Sequence, residues 1–262
     1  MCRALHRAGY VVTCVLRAGQ TPPHPAQHLH ADITQPMLHI LGQFDAVVSC
    51  VASRSGGRED AWAIDHAAQI NILDVAQRLG VPQFILLSAI CVQKPKLPFQ
   101  FAKLAFEKAL MASGLTYSIV RPTAFFKSLS GQIPRLRGGK AFLVFGNGEL
   151  TACKPISDDD LGNFMVDCIS NLAKHNKILP IGGPSPAITP RDQAQALFSL
   201  LGRPVKLRRV PVALLRIICG GLRLAGVLIP AAQRKADLAE IGLYYATESM
   251  LIWQDAERCY SA

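Results

Sequence analysis

The chain has 262 residues, half of them hydrophobic, with 28 Lys and Arg against 18 Asp and Glu, a net charge of +10 and a pI of about 9.4. That is enough apolar material for one α/β domain of the larger kind, or a domain with a small lobe, and it excludes a disordered or repetitive chain. The basic residues are spread thinly, without a Lys/Arg block interleaved with aromatics, which points away from nucleic acid and towards small anionic ligands.

In chain order, "MCRALHRAGY" has the pattern of the back half of a helix, Cys2–Arg7, with Gly9 as its C-cap, and not of an apolar signal segment. A strand is expected over Tyr10–Arg17. A loop rich in Pro and His (Gln20–His30) follows, then a short "HADIT" stretch and a helical turn near Pro36. Next come a strand over Asp45–Ala52, a helix from Asp60 to Gly80, a strand over Gln83–Ile90, a helix from Pro98 to Gly114, and a strand over Thr116–Pro122. These strands are continuous apolar runs rather than alternating ones, as buried parallel strands are, and their alternation with helices predicts a doubly wound α/β fold with a parallel sheet.

Beyond Pro122 the pattern loosens. A short strand is expected at Phe142–Phe145, a hairpin-type turn at Gly146–Gly148 leading into another strand, and a helix capped by Ser157 with Asp160 three residues on. "KILPIGG" reads as a strand and "TPRDQAQALFSLLGRP" as a helix capped by Thr189 with Pro190 at its first position. The expected organisation is a nucleotide-binding domain over 1–125 and a smaller substrate lobe over 126–262, folded over the sheet's carboxyl edge. Val210–Pro230 is the most apolar stretch, but Arg216, Gly220-Gly221 and Arg223 interrupt it, so it is expected to form two helical segments packed on the body rather than a span. Arg216 and Arg223 lie seven apart on one face, which keeps a peripheral membrane contact open. The eight Cys form no C-x-x-C pair. Cys14, Cys50 and Cys91 sit in or at the ends of apolar runs and behave as small hydrophobes of a reducing compartment; no metal motif is present.

In an open parallel sheet, ligands bind outside the carboxyl ends of the strands. The residues standing there are Arg17, Asp32, Ala52, Ser53, Ser88, Arg121, Pro122 and Thr123. Arg17, at the end of what would be the second strand of a Rossmann fold, suits the extra phosphate of NADP, since a guanidinium fork matches phosphate geometry. The opening strand and Gly-rich turn that hold the pyrophosphate in such folds are missing, so either the chain is truncated or it binds nucleotide poorly or not at all. The helix "PFQFAKLAFEKAL" poses a question of its own. Phe99, Ala102, Phe106 and Leu110 form its apolar stripe, and Lys103 lies directly beside it. A lysine there either lays its stem along the apolar face and sends its head to water, or aims its head at a ligand.

The blocks "ILLSAICVQKP", "FQFAKLAFEKALMASGLTYSIVRPTAFFKSLSGQ", "FLVFGNGELTACKPISDDDL" and "YYATESML" resemble the divinyl chlorophyllide a 8-vinyl-reductase family, atypical (NmrA-like) short-chain dehydrogenases of plastids and photosynthetic bacteria. The resemblance implies an NADPH-dependent enzyme of chlorophyll biosynthesis, in a chloroplast or the cytoplasm of a photosynthetic bacterium, that reduces the 8-vinyl group of divinyl (proto)chlorophyllide a to ethyl. It places Phe99 and Lys103 where such dehydrogenases carry Tyr-x-x-x-Lys, so that Lys103 is the catalytic candidate and a binder of the nicotinamide ribose. Arg17, Asp32, Ala52, Ser53, Ser88, Pro122 and Thr123 complete the expected NADPH site. Phe125 and Phe126 are candidates to pack the face of the tetrapyrrole substrate, and Lys127 or Arg135 to pair with its carboxylate. A non-catalytic NADP(H)-binding NmrA-like sensor or scaffold, a quinone or phenylpropanoid reductase on the same fold, and an inactive fragment remain alternatives.

Overall fold

A four-stranded parallel sheet organises the first part of the chain in the computed structural model, which describes residues 1–21, 26–254, 256, 257 and 259–261. Helix α1 (Cys2–Arg7) leads to strand β1 (Thr13–Leu16), and β2 (Gln27–His30) pairs with β1 in parallel. The expected Pro/His loop falls in part on residues 22–25, outside the described residues. Its end is strand rather than loop, because Gln27–His30 finds a partner along β1 that no local pattern announces. Strand β3 (Ala46–Ser49), helix α2 (Arg58–Ala61), a π-helical segment (Trp62–Ala68) and helix α3 (Gln69–Arg78) follow, then β4 (Gln83–Leu87), a 3-10 turn at Ile90–Gln93, helix α4 (Pro98–Met111) and β5 (Thr116–Pro122). Strands β3, β4 and β5 pair in parallel register.

The chain leaves the first unit at Pro122, close to the expected boundary at residue 125, but returns to it later. After α5 (Phe126–Leu129), α6 (Ile133–Arg137) and β6 (Phe142–Phe145), the chain forms α7 (Asp158–Ser170) and then β7 (Lys177–Ile181), which joins the main sheet beside β5 to give the order β3-β4-β5-β7. The chain thus divides into two compact units: Met1–Val92, Pro98–Pro122 and Asp158–Ile181 form one, and Gln93–Leu97, Thr123–Ser157 and Gly182–Ala262 the other. Sequence reading gave "KILPIGG" to the second lobe because strand order cannot be read from a linear pattern.

In the first unit, β4 is buried at four of its five positions. Phe84, Leu86, Ile119, Phe106, Leu110 and Leu73 form the core between sheet and helices, each side chain contributing about 1.5–3 kcal/mol on burial. Strands β1 and β2 form a sheet of their own. Cys14 on β1 and Cys2 on α1 bring their sulfurs to 3.4 Å, and burial followed by that contact pushes the Cys14 thiol up to about 11. All eight cysteines are free; Cys14 and Cys91 are buried, and Cys50, just past the end of β3 at Ser49, is exposed. Cys91 lies in the 3-10 turn rather than a strand.

In the second unit, β6 pairs in parallel with β8 (Leu207–Val210), so the turn at Gly146 and Gly148, both at positive φ, is not a hairpin turn. Leu136, Phe142, Val144 and Phe198 form this unit's core with helix α8 (Pro190–Leu200), which is capped by Thr189 and Asp192 in a reciprocal capping box. Helices α9 (Val212–Gly226) and α10 (Pro230–Thr247) form a hairpin, and Gly220-Gly221 does not break α9. Strands β9 (Ile252–Gln254) and β10 (Cys259–Ser261) pair antiparallel near the carboxyl end.

Glu248, just after α10, gathers this unit's polar contacts. Lys94 donates to it at 2.7 Å and Tyr260 at 2.6 Å, with Lys96 on its other oxygen, while Lys94 also stands 3.8 Å from the Trp253 ring centroid. Burial alone would raise the Glu248 carboxyl, but the hydrogen bonds from Lys94, Lys96 and Tyr260 outweigh it and hold it down at about 2. A carboxylate depressed from 4.5 in the unfolded chain stabilises the fold above that pH and loses its contribution as pH falls towards about 2. Glu248→Gln should therefore lower unfolding stability by about 1–2 kcal/mol at neutral pH, after allowance for solvent screening at the exposed lysine. Urea titrations should show that deficit shrinking as pH falls below 4.5; a deficit independent of pH contradicts the ion-pair account.

Candidate functional site

Helix α4 begins at Pro98, whose fixed φ suits a first helical position. Ala102, Phe106 and Leu110 enter the core as the stripe predicts, while Phe99 is half-buried. Beside that stripe the helix buries a second, polar one: Gln100, Lys103 and Glu107, spaced three and four apart. The Lys103 side chain is only 11% exposed, and its Nζ lies 2.8 Å from Oδ1 of Asp65, whose side chain is wholly buried. The lysine head therefore turns inward rather than to water.

Asp65 comes from the π-helical segment between α2 and α3, where an extra residue per turn re-aims the side chains relative to a straight α-helix. Its Oδ1 also accepts from the amide of Ser53, just past β3. Gln69, one turn on, accepts from the Ser49 hydroxyl at 2.7 Å and donates to the Val51 carbonyl, bracing the same strand end. Asp65, Gln69, Ser88, Lys103 and Phe106 line one narrow crevice at the end of β4.

Ser88 is buried. Its hydroxyl donates to Glu107 Oε1 at 2.5 Å, and its amide donates to the Val120 carbonyl. Glu107 in turn accepts from Arg121 through Nε at 3.2 Å and through Nη2 on the second oxygen. Two buried ion pairs, Lys103–Asp65 and Glu107–Arg121, thus hang from consecutive turns of one helix. Glu107 follows Lys103 by four residues, the spacing of a local helix pair, yet each finds its partner elsewhere. Neither Asp65 nor Glu107 was among the candidates from sequence. The signal available was an acid at a core-facing helix position with an unassigned Arg121 at a strand end.

Arg17 and Asp32 stand exposed just past the paired strands β1 and β2. Asp32 accepts from the hydroxyl of Thr34 at 2.7 Å and from its amide at 2.9 Å; these bonds hold its carboxyl below the usual range, with a smaller contribution from the Arg17 charge. Ala52 is exposed beside half-buried Ser53, and Pro122 is buried at the end of β5. The structure brings Ser53, Ser88 and Lys103 around Asp65 and its crevice, and sets Arg17 with Asp32 as a separate group. The remaining candidates belong to the second unit. There Thr123 donates its hydroxyl to the Lys154 carbonyl, half-buried Phe125 precedes α5, Phe126 and Lys127 are exposed on α5, and Arg135 donates Nε to the Ala141 carbonyl at 2.6 Å. Among the described residues no group of three or more His, Cys, Asp or Glu could hold a metal ion.

A parallel sheet carrying polar residues at its strand ends and an inward-turned lysine on the helix after β4 is the architecture of a Rossmann-like nucleotide-binding protein. The NAD(P)H-binding family matches residues 1–172. The chloroplastic divinyl chlorophyllide a 8-vinyl-reductase of Zea mays is 47% identical over 238 residues, covering 87% of this chain and 59% of its own length. The protein of the same name from Oryza sativa subsp. indica is 44% identical over 272 residues, covering 95% and 67%. Among solved structures, the NADPH-dependent quinone oxidoreductase QOR2 of Escherichia coli, complexed with NADPH, superposes with a TM-score of 0.67 at 18% identity over 94% of this chain and 87% of that one, a likeness of fold. The chain belongs to the NAD(P)H-binding family and is a homologue of the divinyl chlorophyllide a 8-vinyl-reductases. It spans less than two thirds of the length of the maize relative.

The residues present fit a nicotinamide cofactor. Asp65 Oδ2 is buried and has no hydrogen-bond donor among the described residues, an unsatisfied acceptor beside the Lys103 ammonium.

Proposed function

We propose that this chain carries out the NADPH-dependent reduction of the 8-vinyl group of divinyl chlorophyllide a, or of its protochlorophyllide precursor, to ethyl, in the chloroplast or a photosynthetic bacterium. The observation that carries this reading is the 47% identity to the maize reductase over most of the chain. When bound, the cofactor supplies hydride chemistry. Lys103 and Asp65 would hold the nicotinamide ribose, with Ser53 and Ser88 at the neighbouring strand ends. Arg17 would receive the adenosine phosphate that separates NADPH from NADH.

The groups of this chain suit reduction of a carbon–carbon double bond. Phe99 offers no phenol at the position from which a short-chain dehydrogenase protonates an alkoxide; hydride addition to the vinyl group would leave a carbanion delocalised over the macrocycle, and the proton that completes the ethyl group would come from water. The demand falls on positioning two flat partners. Phe125 and the exposed ring of Phe126 supply apolar faces for the macrocycle, and Lys127 a cation for its carboxylate.

Incubation of the protein with NADPH and divinyl chlorophyllide a should move the Soret band to the blue as conjugation is lost. Binding of NADPH, followed by its fluorescence, with no Soret shift would favour the non-catalytic sensor or scaffold. Neither binding nor shift would remove both readings.

A further inference from the structure

Helix α9 is apolar on two opposite faces. One face, Leu215, Cys219 and Leu222, is buried or half-buried. On the other, Leu214, Ile217 and Leu224 recur at spacings of three and seven residues, and all are exposed, Ile217 to 71% and Leu224 to 78%. The stripe runs on into the tip between α9 and α10, where Val227, Leu228 and Ile229 are consecutive and all exposed. A helix with apolar residues on both sides calls for a second apolar environment, and an exposed aliphatic patch of this extent marks an interaction site. Gly226 keeps the tip tight: a Cβ there would meet the Gln233 backbone nitrogen at 3.1 Å.

The charge around this patch selects the partner. From Arg203 to Lys235 the sequence holds eight Lys and Arg and no Asp or Glu. Arg216 lies on one flank of α9 beside Arg223, which pairs with Glu240 of α10 at 2.6 Å, and Arg234 and Lys235 are exposed on the first turns of α10. Among the described residues no helix is long and apolar enough to cross a membrane. An aliphatic ridge flanked by cations on a helix too short and too charged to span is the pattern of a segment lying in a lipid interface.

We propose that the α9–α10 hairpin is a peripheral membrane-docking element, with Ile217, Leu224 and the tip Val227–Ile229 entering the acyl boundary of an anionic bilayer and Arg216, Arg234 and Lys235 meeting its headgroups. The test is flotation of the protein with vesicles of phosphatidylcholine alone and of phosphatidylcholine mixed with phosphatidylglycerol. The protein should float with the mixed vesicles and far less with phosphatidylcholine alone. Leu224→Ser, Leu228→Ser and Ile229→Ser combined should lower the bound fraction about tenfold or more, with an unchanged circular-dichroism melt because these side chains are exposed. Arg234→Glu with Lys235→Glu should remove the preference for anionic lipid. Failure of the parent protein to float with either vesicle, or equal flotation of the triple variant, would overturn the proposal. So would a self-associating parent and a monomeric triple variant in sedimentation velocity without flotation, since the ridge would then be covered by a second copy.

Discussion

Lys103→Met is expected to lower NADPH-dependent turnover by about 100-fold or more, the scale of removing a charge placed to hold a reacting partner. The variant alone is ambiguous, because it also strands a buried carboxylate: Asp65 is wholly buried and has Lys103 as its ion-pair partner. Breaking a buried pair from one side costs about 3–5 kcal/mol, enough to unfold a marginal domain. The informative protein is the double variant Lys103→Met with Asp65→Asn, which removes both charges. Its urea midpoint should return close to the parent's, since a neutral amide can keep the Ser53 amide bond. If Lys103 serves the cofactor, the double variant stays inactive and its NADPH affinity stays low. If the pair only braces the π-helical segment against α4, recovery of stability brings recovery of activity, and the cofactor role of Lys103 is refuted.

The same lysine shows how far the sequence carries. The apolar stripe of α4 was legible from period alone, because Ala102, Phe106 and Leu110 do enter the core. Strands β5 and β6 match their predicted ranges, because continuous apolar runs bounded by turn residues leave little freedom. Lys103 was legible as an anomaly, but its partner was not: Asp65 lies 38 residues away on a segment whose π geometry no local preference announces. Strand β2 went unread for a similar reason, since Gln27–His30 alternates no apolar residues and owes its conformation to pairing with β1. The return of Asp158–Ile181 to the first unit was not legible, because it is a matter of strand order rather than composition. The aliphatic ridge of α9 was visible as hydropathy, and only the fold shows that one side of it stays exposed.

Glu107→Ala should be strongly destabilising, by about 3–5 kcal/mol. Glu107 is buried and accepts from three donors: the Ser88 hydroxyl and two nitrogens of Arg121. Its removal leaves the Arg121 guanidinium, only 15% exposed, without its counter-ion, and leaves the Ser88 hydroxyl without its acceptor. Glu107→Gln keeps the shape and an acceptor for Ser88 but loses the charge, so its cost should fall to about half. Replacing the pair together by Glu107→Leu and Arg121→Met should recover most of the loss, since paired apolar groups of similar volume often match a buried ion pair in stability. Chemical denaturation of these proteins and of the single variants Glu107→Leu and Arg121→Met decides the matter. A double variant as unstable as Glu107→Ala would mean that the acid acts chiefly through Ser88 and the carboxyl end of β4. Near-additive costs for the separate Glu107 and Arg121 substitutions would mean that the two side chains do not act as a pair at all.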